Sequence, residues 1–199
     1  MSRSVVFIPG NNYQAENYPK LLNTLTSLKL EVFTPRMVWD GMPNPEAWAE
    51  HTLRQVDDHD FDIVMGHSFG GATALIVAAR LAQQARPFSQ LMLCSHSAVF
   101  SDDLQVPQVK KWLLDWYGPK SLTPLRGLDI TPLTTAVMRQ VQRPEVSILY
   151  GEQEEFRIRQ RAGKTALLFD VAPVAIAGAG HEIENEPYIQ AITANLSVD

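Results

Sequence analysis

Segment 61–65, apolar at Phe61, Ile63, Val64 and Met65, runs directly into Gly66-His67-Ser68-Phe69-Gly70-Gly71, and an alanine-rich stretch follows to about residue 84. This pattern predicts a strand, a sharp turn and a helix. Glycine is needed where a side chain would collide or φ would be strained. The helix that follows points its first N–H groups and the positive end of its dipole back at the turn. A serine there is presented at a strand end, beside a ready-made anion site.

The rest of the chain repeats the alternation. Apolar runs at 5–8, 31–34, 90–94, 146–150 and 174–176 read as further strands. Amphipathic stretches at 15–28, 46–57, 154–169 and 184–196 read as helices. Short runs that are apolar throughout suit strands buried on both faces. Strand–helix alternation implies right-handed crossovers and a parallel sheet with helices on both faces, an α/β three-layer sandwich. Residues 98–143 break the rhythm, being too long for a simple βα loop. A helix is predicted at 107–117, with Trp112 and Trp116 on it. This segment reads equally as a crossover or as a short cap over a pocket within a single domain, 1–199.

Composition narrows the function. A net charge of −5 gives no electrostatic case for nucleic acid or an anionic membrane. No apolar run is long enough for membrane insertion, and the first residues lack a signal layout, so a cytoplasmic protein is expected. The one cysteine, Cys94, lies in an apolar run and reads as a buried small hydrophobe. No cluster with zinc or calcium spacing is visible, so no metal and no cofactor is expected.

The strand–turn–helix setting makes Ser68 a candidate nucleophile, which needs a base. His181, in Gly178-Ala179-Gly180-His181-Glu182 after the last strand, has the best setting. His67 adjoins the serine, so its side chain should diverge; it reads as structural. His51 and His59 precede the third strand and read as surface residues. His96 follows the fourth strand, a distant second as base but a candidate substrate contact. An acid should orient the base. Glu154, three residues after Gly151, is preferred; Glu152 and Glu155 compete. Oxyanion donors are expected from the Phe69 N–H and from the loop Pro9-Gly10-Asn11-Asn12, with Asn11 first and Asn12 second. Trp39 and Trp112 are further candidate substrate contacts.

These residues resemble the α/β-hydrolase superfamily over nearly the whole chain. The resemblance rests on GHSFGG after a buried strand, on Gly151 to Glu154, on GAGH near the end, and on the order Ser68, Glu154, His181. It implies a minimal six-stranded sheet in the order 2-1-3-4-5-6, with an acid after the penultimate strand and an oxyanion N–H after the loop glycine. Pro9-Gly10 replaces the His-Gly of many relatives, and glutamate replaces the usual aspartate. The implied activity is hydrolysis of a small-molecule ester through an acyl-enzyme. A thioester or a C–C bond is the alternative on the same residues, and a non-catalytic binding protein is the alternative of another class.

Overall fold

The computed structural model describes residues 3–38, 44–56, 59–97 and 129–196. The expected helix at 107–117, with Trp112, and the loop residue Trp39 lie outside them.

Six parallel strands form one sheet: β1 (Ser4–Ile8), β2 (Glu31–Phe33), β3 (Ile63–His67), β4 (Gln90–Cys94), β5 (Glu145–Gly151) and β6 (Val174–Ile176). Their spatial order is β2-β1-β3-β4-β5-β6. In register, Ile8 lies beside Gly66 and His67 beside Cys94, so the ends of the central strands reach one edge together. The strand order reverses between β1 and β3, which opens a crevice at their C-terminal ends.

Alternate side chains build two cores. Val5, Phe7, Ile63 and Met65 pack on α1 (Pro19–Ser27) and α6 (Glu186–Asn195). Val6, Ile8, Val64 and Leu93 pack on α2 (Pro45–Gln55), α3 (Phe69–Gln83), α4 (Ile130–Met138) and α5 (Phe156–Phe169). The sheet is therefore buried on both faces. Cys94 is one of its buried side chains, and burial pushes its thiol above the ordinary range.

Three expectations are corrected, and one helix is additional to those read from the sequence. The helix expected at 15–28 is a 3-10 turn, Ala15–Asn17, followed by α1. Pro19 at the first turn of α1 holds Tyr18 off helical geometry, at φ −125° and ψ 47°. The third strand is displaced toward the turn, from 61–65 to Ile63–His67. The helix expected from residue 154 begins at Phe156, leaving Glu154 in a turn. Helix α4 was not expected, because threonines and Pro132 make its sequence a poor helix former. Asp129 caps it by accepting from the Thr131 N–H at 3.2 Å, and it packs on α3 and α5.

Candidate functional site

The turn after β3 exists because two glycines allow backbones to touch. A Cβ on Gly66 would lie 2.2 Å from the Gly70 carbonyl oxygen, and one on Gly70 would lie 2.2 Å from that of Pro9. Ser68 between them has φ 55° and ψ −126°. Such a conformation costs a non-glycine residue about 1–3 kcal/mol. Backbone bonds over-determine it. The Ser68 N–H donates to the Cys94 carbonyl at 3.0 Å, and the Ser68 carbonyl accepts from Gly71 and Ser97, both at 3.0 Å.

Ser68, His181 and Glu154, from three separate segments, come together here. The Ser68 hydroxyl lies 3.0 Å from His181 Nε2. His181 Nδ1 lies 3.2 and 3.1 Å from the two Glu154 carboxylate oxygens. A carboxylate only accepts, so Nδ1 carries the proton and Nε2 is left to accept from the serine. The Glu154 side chain is 1% exposed and that of His181 37%. The Glu154 carboxylate is therefore shielded from water while the His181 imidazole faces the cleft.

The loop after β5 explains the position of Glu154. Gln153 donates to the Ala179 carbonyl at 2.8 Å, and Glu154 to the Gly151 carbonyl at 3.0 Å. The turn thus lies against the His181 loop and directs Glu154 at the imidazole. Glu152 and Glu155 are exposed, and no hydrogen bond joins either side chain to His181.

The cleft above Ser68 has a volume of about 430 Å³ and is lined by Asn11, Asn12, Phe69, Ser97, Arg161 and His181 among others. Phe69 opens α3, so its N–H has no preceding turn to bond to. Asn11 follows Gly10 in a turn closed by the Tyr13 N–H on the Gly10 carbonyl at 3.0 Å, with Asn12 at φ 63°. The two expected oxyanion segments thus border the cleft beside Ser68. Among the described residues, no group of three or more His, Cys, Asp or Glu is placed to hold a metal ion.

His96 is a correction. It is fully buried, its Nε2 lies 2.8 Å from the Thr165 hydroxyl, and it does not line the cleft. It fills the space beside Gly71, where a Cβ would come within 2.6 Å of its own. Burial, with Arg161 nearby, lowers its imidazole to about 3. Tyr13, Ser97, Ile158, Arg157 and Arg161 line the cleft without having been anticipated. The spacing of the two arginines, four residues apart on one helix face, was the available signal for them. Ser97 had none.

A model of the alpha/beta hydrolase family matches residues 5–189. The chain belongs to that family. No curated protein matches it in sequence. Among solved structures, it is similar to Est1E from Butyrivibrio proteoclasticus, with 17% identity and a TM-score of 0.66 over 97% of this chain and 84% of that one. An extracellular alpha/beta-hydrolase from a Paenibacillus species shares 17% identity at a TM-score of 0.65, over 96% and 97%. FphF, a fluorophosphonate-binding serine hydrolase of Staphylococcus aureus, shares 16% at 0.65, over 97% and 81%. At these identities the likeness is one of fold. Among the described residues of this alpha/beta hydrolase family member, no helix is long and apolar enough to cross a membrane.

Proposed function

We propose that this protein is a serine hydrolase that cleaves small or medium carboxylic esters through an acyl-enzyme. The reading rests on one observation: the unbroken hydrogen-bond chain from the Ser68 hydroxyl through His181 to the Glu154 carboxylate. Its place at the switch point and the family membership support it.

His181 Nε2 takes the hydroxyl proton as Ser68 Oγ bonds to the ester carbonyl carbon. The carbonyl oxygen becomes an oxyanion held by the N–H groups of Phe69 and Asn11. One such donor lowers the barrier by about 3–4 kcal/mol. The intermediate collapses, and the departing alkoxide takes the proton from His181. Water then attacks the acyl-enzyme, giving a proton to His181. The second collapse frees the acid and returns that proton to Ser68. Glu154 holds the Nδ1–H tautomer and stabilises the transient imidazolium. A cleft of about 430 Å³ is at the smaller end of ligand sites, which suits a compact acyl group.

The test is burst kinetics on p-nitrophenyl esters of increasing chain length, with fluorophosphonate labelling in parallel. The burst and the label are expected in the native protein and absent from Ser68→Ala. A native protein that shows no turnover and no labelling would sink the reading.

A further inference from the structure

His67 adjoins the nucleophile in sequence but points to the other side of the sheet end. Its Nε2 lies 2.9 Å from the backbone carbonyl of His181, and its Nδ1 lies 2.8 Å from the Tyr18 hydroxyl. The Tyr18 oxygen accepts from the Gly10 N–H at 2.9 Å. Two buried side chains and three hydrogen bonds thus join the Gly10–Asn11 loop to the His181 loop, passing beneath Ser68. Gly10 itself is tight against this chain: a Cβ there would lie 3.2 Å from both Ser68 Cβ and the Tyr18 hydroxyl.

The direction of every bond follows. A carbonyl oxygen only accepts, so His67 Nε2 carries the proton. Burial, with His181 nearby, lowers the imidazole to about 3, so His67 holds only that one proton at neutral pH and its Nδ1 accepts. Burial raises the Tyr18 phenol, so it keeps its proton and donates to Nδ1. The phenol oxygen is left to accept from Gly10. No bond in the chain can reverse without leaving a buried group unsatisfied.

We propose that His67 and Tyr18 are positioning residues, a directed hydrogen-bond bridge that holds the oxyanion loop and the base loop in register across the nucleophile. This deepens the hydrolase reading and rests on it. Neither side chain borders the cleft; Tyr18 acts through the Gly10 backbone, and His67 through the His181 backbone and the ring contact beside it, with centroids 5.0 Å apart. Tyr18 is free for this role because Pro19 ends the preceding turn, leaving Tyr18 as the N-cap of α1. Its ring packs edge-on against Phe7, with centroids 4.9 Å apart, which limits its rotation.

The near-isosteric Tyr18→Phe removes both phenol bonds. Expected is a fall in kcat, and in fluorophosphonate labelling rate, of about tenfold to a hundredfold, with KM little changed. His67→Gln keeps a donor for the His181 carbonyl and is expected to recover part of the rate lost in His67→Leu. Nitrogen-15 histidine spectra of Ser68→Ala are expected to show His67 as a neutral Nε2–H tautomer, a readout that needs no turnover. An active native enzyme whose kcat is unchanged by Tyr18→Phe overturns the bridge alone, as does an Nδ1–H tautomer at His67. A native protein inert to both esters and fluorophosphonate overturns the hydrolase reading, and the positioning role falls with it. If His67→Leu does not fold, Tyr18→Phe and the tautomer decide.

Discussion

Glu154 has neighbours at 152 and 155 of the same charge, and geometry separates them. Only Glu154 is buried and within 3.2 Å of His181 Nδ1. Glutamate reaches the imidazole because its turn lies directly against the 179–181 segment, where a Cβ on Gly151 would meet the Gly180 carbonyl oxygen at 2.3 Å. Glu154→Gln leaves the shape but lets the amide stabilise the wrong tautomer of His181. Its kcat on a p-nitrophenyl ester is expected to drop about 10³- to 10⁴-fold with KM little changed. Glu152→Gln, at an exposed position, is expected to stay near the native rate. An equal loss in Glu155→Gln and none in Glu154→Gln would reassign the acid.

Helix ends connect distant parts of this molecule. Both Glu184 carboxylate oxygens accept from the first turn of α1, from Lys20 N–H at 2.9 Å and Leu21 N–H at 3.0 Å. An anion at a helix N-terminus satisfies orphan donors and complements the dipole. The connection ties the segment after His181 to the helix that Tyr18 precedes as N-cap. Glu184→Ala is expected to destabilise by about 1–2 kcal/mol, read as a lower urea midpoint. An unchanged midpoint would show that water replaces the carboxylate without loss. The same accounting explains α4, a helix made by its Asp129 cap and by packing rather than by propensity.

Two buried neutral histidines make the whole fold sensitive to acid. His67 and His96 have imidazoles lowered to about 3, in each case chiefly by burial, against an ordinary 6.5. Below 6.5 the unfolded chain takes up protons that the folded chain refuses. Their stabilising contribution is therefore complete above about pH 6.5 and is lost as pH falls from there toward 3. Each contributes a slope of about 1.4 kcal/mol per pH unit within that window. The urea midpoint is expected to be flat from pH 8 to 7 and to fall steadily below 6.5. His96→Gln should remove about half of the slope, whatever it does to absolute stability. A midpoint unchanged between pH 7 and pH 5 would contradict the neutral burial of both rings.

Local chemistry made much of this legible. Apolar runs bounded by glycine and proline marked six strands, because a strand buried on both faces has little choice of residue. The GHSFGG turn marked Ser68, because a backbone that touches its neighbours at Gly66 and Gly70 excludes every other residue. Glu154 and His181 were legible as candidates through their place after β5 and β6. Other features depend on which segments meet in space. His96 follows a strand end as a pocket residue would, yet burial beside Gly71 removes it from the cleft. Ser97 stands at the cleft because its N–H bonds back to Ser68. The bridge from Gly10 through Tyr18 and His67 to His181 joins residues up to 171 positions apart in the chain. Periodicity reports only what lies along one element, and such a bridge forms only after β1, β3 and the loop beyond β6 are brought to one edge of the sheet.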